Sequence, residues 1–300
     1  MSPIERSERI PGIRAALAGY SRTMADRGWS GFHWQVALLI PPGLLYFLVR
    51  DLSAGQERAA YDNAASIVNF QKALGLDWES TLQQRILDTD WMLAVVNWIY
   101  IWGHFPVIIL ALFLLFGLNR RSFLTLRNAL VASGAIGLVC FAVYPVAPPR
   151  LFAPDLFFDS LNELSSSYKI LQNPKVTNQF AAVPSFHVGW NLLVAIAVWR
   201  ASRFRLLRVA AVLSPLLMMA SVVLTANHWL LDILAGISVA CIGIVAASFM
   251  DRLFGRLTPA TCGTTGDERS DDDEHTGDAR GDGGAGGART HDRAIMSRAL

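Results

Sequence analysis

Residues 228–250 read HWLLDILAGISVACIGIVAASFM. About 20 mostly apolar residues suffice for a helix to cross the hydrocarbon core of a bilayer, and this run is long enough. Its ionisable residues, His228 and Asp232, both stand at its start. Residues four apart share one face of a helix. Ionisable groups at the end of a membrane span are costly to bury and mark a functional site by default. The stretch sets two expectations: an all-α integral membrane protein, and chemistry at the end of the bundle where residue 228 lies.

Composition agrees. Of 300 residues, 53% are hydrophobic and 17% charged, and the mean hydropathy is +0.35. Soluble domains carry about 25% charged residues. A disordered chain is excluded and an ordinary soluble enzyme disfavoured. The net charge of +2 divides into +6 over residues 1–265 and −4 over residues 266–300. A small net charge on an apolar body does not suggest nucleic-acid binding. Cys140, Cys241 and Cys262 are far apart and form no CxxC pair, so neither a disulfide framework nor a thiolate zinc site is supported.

Six apolar runs predict about six transmembrane helices in a bundle: roughly 33–50, 92–118, 127–147, 184–200, 206–226 and 228–250. Gly103 and Pro106 are expected to kink the second or split off its first turn. Lys/Arg bias sets the orientation. Five Arg in 1–31, three in 119–127, four in 200–208 and two just after 250 fall on one side of a six-span bundle. Segment 51–91 has seven acids and three Lys/Arg, and lies on the other side with loop 148–183. The expected organisation is a cytoplasmic N-terminal segment 1–32, a six-span catalytic membrane domain 33–258 and a disordered cytoplasmic tail 259–300. Both termini are expected in the cytoplasm of a bacterial cell, with the site facing outside.

Within the first outer loop, 59–89 predicts one or two short amphipathic helices on the membrane surface. Ile67, Phe70, Leu74 and Leu76 approximate one apolar face, and Leu82, Ile86 and Leu87 another. Gly75 is expected to break between them.

On this topology, four segments bring polar groups to the outer side at similar depth. Span two carries Asn97, Tyr100 and His104 at the spacing of one helix face. Span three ends in YPVAPPR, with Arg150 last. Span four starts PSFH, with Ser185 and His187. Span six starts NHWLLD, with His228 and Asp232. A carboxylate four residues after a histidine fixes its tautomer and raises the basicity of its other nitrogen. The alternative is an interfacial histidine and an aspartate that only satisfies a helix terminus. Ser185 and the free N–H groups after Pro184 suit an anion, with His187 beside it as proton donor. Arg150 either pairs with anionic oxygens or snorkels to headgroups. His104, Tyr100 and Asn97 either line the site or serve as belt and structural residues.

The pair of motifs, PSFH followed by HxxxD, resembles the second and third signatures of the type 2 phosphatidic acid phosphatase superfamily. YPVAPPR, the NxxYxxxH of span two and the Phe of PSFH resemble its inositol phosphorylceramide synthase-like branch. The resemblance covers roughly residues 60–250. It implies a metal-free, two-step reaction through a phosphohistidine. His228 would be the nucleophile, Asp232 its orienter and His187 the general acid. Three departures stand out. The superfamily's arginine six residues before the third-motif histidine is Val222 here. Its PSGH glycine is Phe186. Its first Lys-and-Arg-Pro motif is not apparent.

The resemblance implies a lipid phosphatase or phosphotransferase, without cofactor, acting on a lipid phosphate or phospholipid and moving an inositol-phosphate-type headgroup. Arg150, Ser185, His104, Tyr100 and Asn97 are the candidate substrate-binding residues. Two other classes compete. One is a metal-dependent membrane hydrolase liganded by His104, His187, His228 and Asp232. The other is a transporter or non-enzymatic membrane scaffold, although no inverted repeat is visible and midplane charges are few.

Overall fold

A computed structural model describes residues 33–257, apart from 36, 38, 39, 54, 166, 167 and 170–177. The chain divides into two units, Met1–Thr258 and Pro259–Leu300, and every described residue belongs to the first. The segments expected at 1–32 and 259–300 lie outside the described residues, as does Cys262.

The regular structure of the described residues is helical, and no strand occurs among them. The helices are α1 (Ile40–Ser53), α2 (Glu57–Ala73), α3 (Glu79–Leu87), α4 (Asp90–Trp102), α5 (Phe105–Leu118) and α6 (Arg120–Val143). Then come α7 (Pro149–Phe152), α8 (Ser160–Leu164), α9 (Phe186–Ala201), α10 (Arg205–Leu224) and α11 (Leu230–Leu257).

Three of these are each long and apolar enough to cross a membrane: α6, α10 and the Leu230–Met250 part of α11. Helices α4 and α5 pass the same test only as a pair, bent by 47° at their junction, which is the geometry of a broken span or a re-entrant loop. Gly103 and His104 stand at the break, and Pro106 sits in the first turn of α5, where its missing N–H costs nothing. Helix α9 is apolar but has 16 residues. Among the described residues, length and composition therefore support three spans, or four if the bent pair is one, of the six expected. The fourth expected run falls short because helix starts only at Phe186, after Pro184 and Ser185. The first is described continuously only from Ile40 onward.

Helix α11 packs against α6 and α9, and α9 against α10. Two glycines set the closeness of α9 and α11. A Cβ on Gly189 would fall 2.5 Å from the Gly236 carbonyl oxygen, and one on Gly236 would fall 2.3 Å from that of Ser185. Any side chain larger than hydrogen would push the two helices apart. The bundle's outer surface carries Leu206, Leu216, Val245 and Phe249 exposed, an apolar surface suited to lipid.

Helices α2 and α3 form in the expected region, and Gly75 separates them. It adopts φ +68° in a Schellman motif, with Leu76 N–H donating to Gln71 O at 2.8 Å and Gly75 N–H to Lys72 O at 3.0 Å. Their inward faces differ from the expectation. Phe70 and Leu74 are exposed, and the buried residues are Ala60, Ala64, Ile67 and Gln71 on α2 and Glu79, Gln83 and Ile86 on α3. The reason is polar. Backbone donors lie under these helices, and Gln71, Glu79 and Gln83 turn inward to meet them.

Candidate active site

Helix α11 begins beside a loop that α10 hands over at Leu224. Ala226 adopts φ +52°, a left-handed conformation that costs a non-glycine residue about 1–2 kcal/mol. It is fully buried, and its carbonyl accepts the Arg150 N–H at 3.0 Å. The N–H groups of Asn227 and His228 both donate to Val222 O, at 3.0 and 3.2 Å. This turn aims His228 at the bundle interior.

Nδ1 of His228 lies 2.9 Å from Ala182 O and 3.3 Å from Asp232 Oδ2. Both neighbours are acceptors, so Nδ1 carries the proton and Nε2 keeps its lone pair. Asp232 Oδ2 also accepts the Trp229 N–H at 2.8 Å. The carboxylate thus contacts both the histidine ring and the helix start. Asp232 is fully buried.

Ala182 owes its position to the YPVAPPR segment. Val146 N–H donates to Phe180 O at 2.8 Å, beside the Val146–Ala181 bridge. Trp229 Nε1 ties α11 to the same segment through Ala147 O at 3.0 Å.

The N–H groups that open α11 meet the outer helices. Leu230 N–H donates to Glu79 Oε1 at 3.0 Å and Leu231 N–H to Gln71 Oε1 at 2.9 Å, while Gln71 Nε2 donates to Glu79 Oε1 at 2.6 Å. Gln83 fastens α3 to Phe158 O and Leu224 O, at 2.8 and 3.0 Å.

His187, in the first turn of α9, has its ring centroid 5.7 Å from that of His228. Its ring stacks on Tyr100 at 4.4 Å and lies 4.3 Å from His104. Neither ring nitrogen of His187 has a hydrogen-bond partner among the described residues. Its backbone carbonyl accepts from Asn191 Nδ2 at 2.8 Å.

His104 does not share the helical face expected with Asn97 and Tyr100. It sits past the end of α4, in the break, buried, with Nδ1 unpartnered. Ser185 occupies the N-cap position of α9 without capping it. Its Oγ is buried and unpartnered, as is Asp232 Oδ1. Three such atoms therefore belong to residues of the site.

Arg150 does not snorkel. It is buried, with Nε donating to Asn227 Oδ1 at 2.9 Å, Nη1 to Asp159 Oδ2 at 3.2 Å and Nη2 to Gln179 Oε1 at 3.3 Å. Tyr168 Oη reaches the same Asn227 oxygen at 3.4 Å. Burial pushes the Tyr168 phenol above its ordinary value, against the pull of Arg150, so it remains a donor. Asn97 is committed to the loop: its Nδ2 donates to Ser160 O at 3.0 Å and its Oδ1 accepts from Ser160 Oγ at 2.8 Å.

Residues 65–246 match the family model of the PAP2 superfamily. The chain belongs to that superfamily. Membership makes it a phosphatase-type membrane enzyme of the PAP2 class, with lipid phosphates as the substrate class the family suggests. No significant match was found among curated proteins or among solved structures. The matched stretch holds His104, Arg150, Ser185, His187, His228 and Asp232.

The two departures within the PAP2 motifs have physical counterparts. Val222, where the superfamily's arginine is usual, is fully buried with Tyr100, Tyr168, Val188 and Met218. Phe186, where its glycine is usual, lays its ring on Gly137, whose Cβ would fall 2.1 Å from it, and stacks on Trp190 at 4.7 Å.

Ala182, Gln71, Glu79 and Asn227 were not legible as site residues. Ala182 acts through a backbone carbonyl, which no side-chain motif encodes. Gln71 and Glu79 left a signal, polar residues within an amphipathic pattern, but nothing in sequence says what they face.

Proposed function

We propose that this chain cleaves or transfers the phospho-headgroup of a membrane lipid through a phosphohistidine, at a site facing the extracytoplasmic side. The supporting observation is the state of His228: Ala182 O and Asp232 hold the proton on Nδ1 and leave Nε2 as the nucleophile. In the first step Nε2 attacks phosphorus, the N–P bond forms and the P–O bond to the lipid alcohol breaks. His187 gives its proton to the departing oxygen. In the second step water or an acceptor alcohol gives its proton to His187 and attacks phosphorus, and the N–P bond breaks. His187 and His228 regain their starting states. Splitting one difficult displacement into two easier ones is the logic of nucleophilic catalysis.

Developing charge on the phosphoryl oxygens needs donors. Ser185 Oγ and the first-turn N–H groups of α9 supply them. Arg150 already has three protein partners and acts chiefly by holding Asn227 and the turn before His228, adding its charge to the site. Tyr100 and His104 set the His187 ring. Asn97 positions the 148–183 loop, which together with α2 and α3 selects the acceptor. The branch resemblance favours transfer of an inositol-phosphate-type headgroup over hydrolysis.

The donor arrangement does not favour the metal reading. Among the described residues no group of three or more His, Cys, Asp or Glu side chains is placed to hold an ion. Nδ1 of His228 is committed to Ala182 O. Superfamily membership favours an enzyme over a transporter or scaffold.

The test uses purified protein, a phosphorus-labelled lipid phosphate and labelled phosphatidylinositol, each with and without a lipid alcohol. His228→Ala is expected to lower turnover by about 10⁴-fold or more and to abolish the acid-labile label trapped on the protein. Labelled protein at wild-type levels in that variant would remove the nucleophile. Asp232→Asn keeps an oxygen for the Trp229 N–H and is expected to cost about 10³–10⁴ in kcat. Wild-type rates there would end the orienter role.

A further inference from the structure

A cavity of about 530 Å³ lies between α6, α9 and α11, at the opposite end of the bundle from His228. Arg200 is 13 residues beyond His187 on α9, which places it roughly 20 Å along the helix axis. Ile244, in the cavity wall, is 12 residues beyond Asp232, roughly 18 Å along α11. No residue of the proposed chemistry lines it.

Its lining has two characters. Arg121 and Arg200 stand in its wall with Ser122 and Asn119, and Leu126, Leu193 and Ile244 form its apolar part. Neither guanidinium has an acidic partner among the described residues, where Arg50, Arg150 and His228 hold the ion pairs. The surroundings are basic as well: Arg120, Arg203, Arg205 and Arg208 flank the same helix ends. Ligand cavities commonly span ~300–1,000 Å³, so the space exceeds what a lone inorganic anion fills. Two exposed guanidinium groups beside an apolar wall, at the end of membrane helices, match an amphiphile with an anionic head.

We infer that this cavity binds the phosphate headgroup and upper acyl chain of an anionic phospholipid, as a site separate from the catalytic one. Arg121 and Arg200 take the phosphate oxygens, Ser122 adds a hydroxyl donor, and Leu126, Leu193 and Ile244 take the chain. Guanidinium suits this because its planar donors match phosphate geometry.

The experiment is native mass spectrometry of the full chain released from phosphatidylcholine nanodiscs doped with phosphatidic acid. Thermal unfolding of every variant serves as the folding check, so the result is independent of catalysis. Wild type is expected to retain phosphatidic acid over phosphatidylcholine. Arg121→Gln with Arg200→Gln is expected to lose at least about tenfold of that preference, about 1.4 kcal/mol. Arg203→Gln with Arg205→Gln removes equal charge from the same end, outside the cavity, and is expected to retain it. Ile196→Trp fills the cavity wall without altering charge and is expected to weaken retention.

Equal loss in both arginine pairs would reduce the effect to surface charge and overturn the proposal. Full retention in Ile196→Trp would overturn the cavity as the site. Displacement by inorganic phosphate as readily as by phosphatidic acid would assign the cavity to a soluble phosphate and overturn the lipid assignment.

Discussion

Helices α9 and α11 start side by side, and their starts are finished in opposite ways. At α11 three consecutive N–H groups are taken by side chains: Trp229 by Asp232, Leu230 by Glu79 and Leu231 by Gln71. At α9 the N-cap residue Ser185 leaves its hydroxyl unpartnered. The amides of Phe186, His187 and Val188 meet no side-chain acceptor among the described residues. Every helix start has unsatisfied donors and a positive dipole end, and so suits an anion. What differs here is how many donors remain. The start that carries the proposed nucleophile is closed by the protein itself, and the start that carries the proposed acid is left open. In the proposed reaction a phosphoryl group is drawn to α9 and attacked from α11.

The comparison depends on the two starts being close, and glycine makes them so. Ser185 N–H donates to Asp232 O at 3.0 Å, and a Cβ on Gly236 would lie 2.3 Å from Ser185 O and 3.2 Å from Ser185 N. Backbone atoms cannot yield as a flexible side chain can. Gly236→Ala is therefore expected to move one helix start from the other by a good fraction of an ångström. Misplacement on the scale of 1 Å costs about 10²-fold in rate. The expected result is that loss in kcat with helical content retained, read by circular dichroism. Full activity would mean that the two starts act independently.

How much of this was legible in sequence follows from where each interaction is encoded. The membrane class, the helix break at Gly103 and Pro106, and the Gly75 break rest on local composition and backbone chemistry, and the structure has all of them. His187, His228 and Asp232 were marked by spacing and by the cost of polar groups at span ends. The inward face of α2 was misread because periodicity weighs apolar residues. Phe70 and Leu74 obey the pattern yet stay outside, while Gln71 and Glu79 turn in to close a helix start about 150 residues away in the chain. The Ala182 carbonyl was not legible at all, since any residue would offer one. Arg150 was legible as special but not as buried, because its partners Asn227, Asp159 and Gln179 come from three separate segments.

Ser185→Ala probes the open start. The hydroxyl is buried and has no protein partner to lose, so the folded state is expected to keep its stability within about 0.5 kcal/mol. A hydrogen bond to a charged group contributes about 1.5–3 kcal/mol. Removing it is expected to lower kcat/KM about ten- to a hundredfold. An unchanged kcat/KM with a lowered unfolding midpoint would make Ser185 a structural residue and leave the α9 start without its side-chain donor.

Glu79 tests the closed start, with the smallest expected change in rate. Glu79→Ala leaves the Leu230 N–H without its acceptor and the Gln71 amide with Leu76 O at 3.5 Å alone, a buried loss of about 1–3 kcal/mol. The unfolding midpoint should fall by several degrees. Leu230 is two residues from His228, so a looser helix start is expected to lower kcat by about fivefold, roughly 1 kcal/mol. KM should hold, because the α9 donors are untouched. Glu79→Gln retains one oxygen for the Leu230 N–H and should recover most of both losses. This split between kcat and KM separates closure from binding. If Glu79→Ala instead lowers KM, freeing the α11 amides has created a better anion site, and closure at α11 is what sends the phosphate to α9. If it raises KM with kcat intact, the phosphate was held at α11 all along and the roles of the two helix starts are reversed.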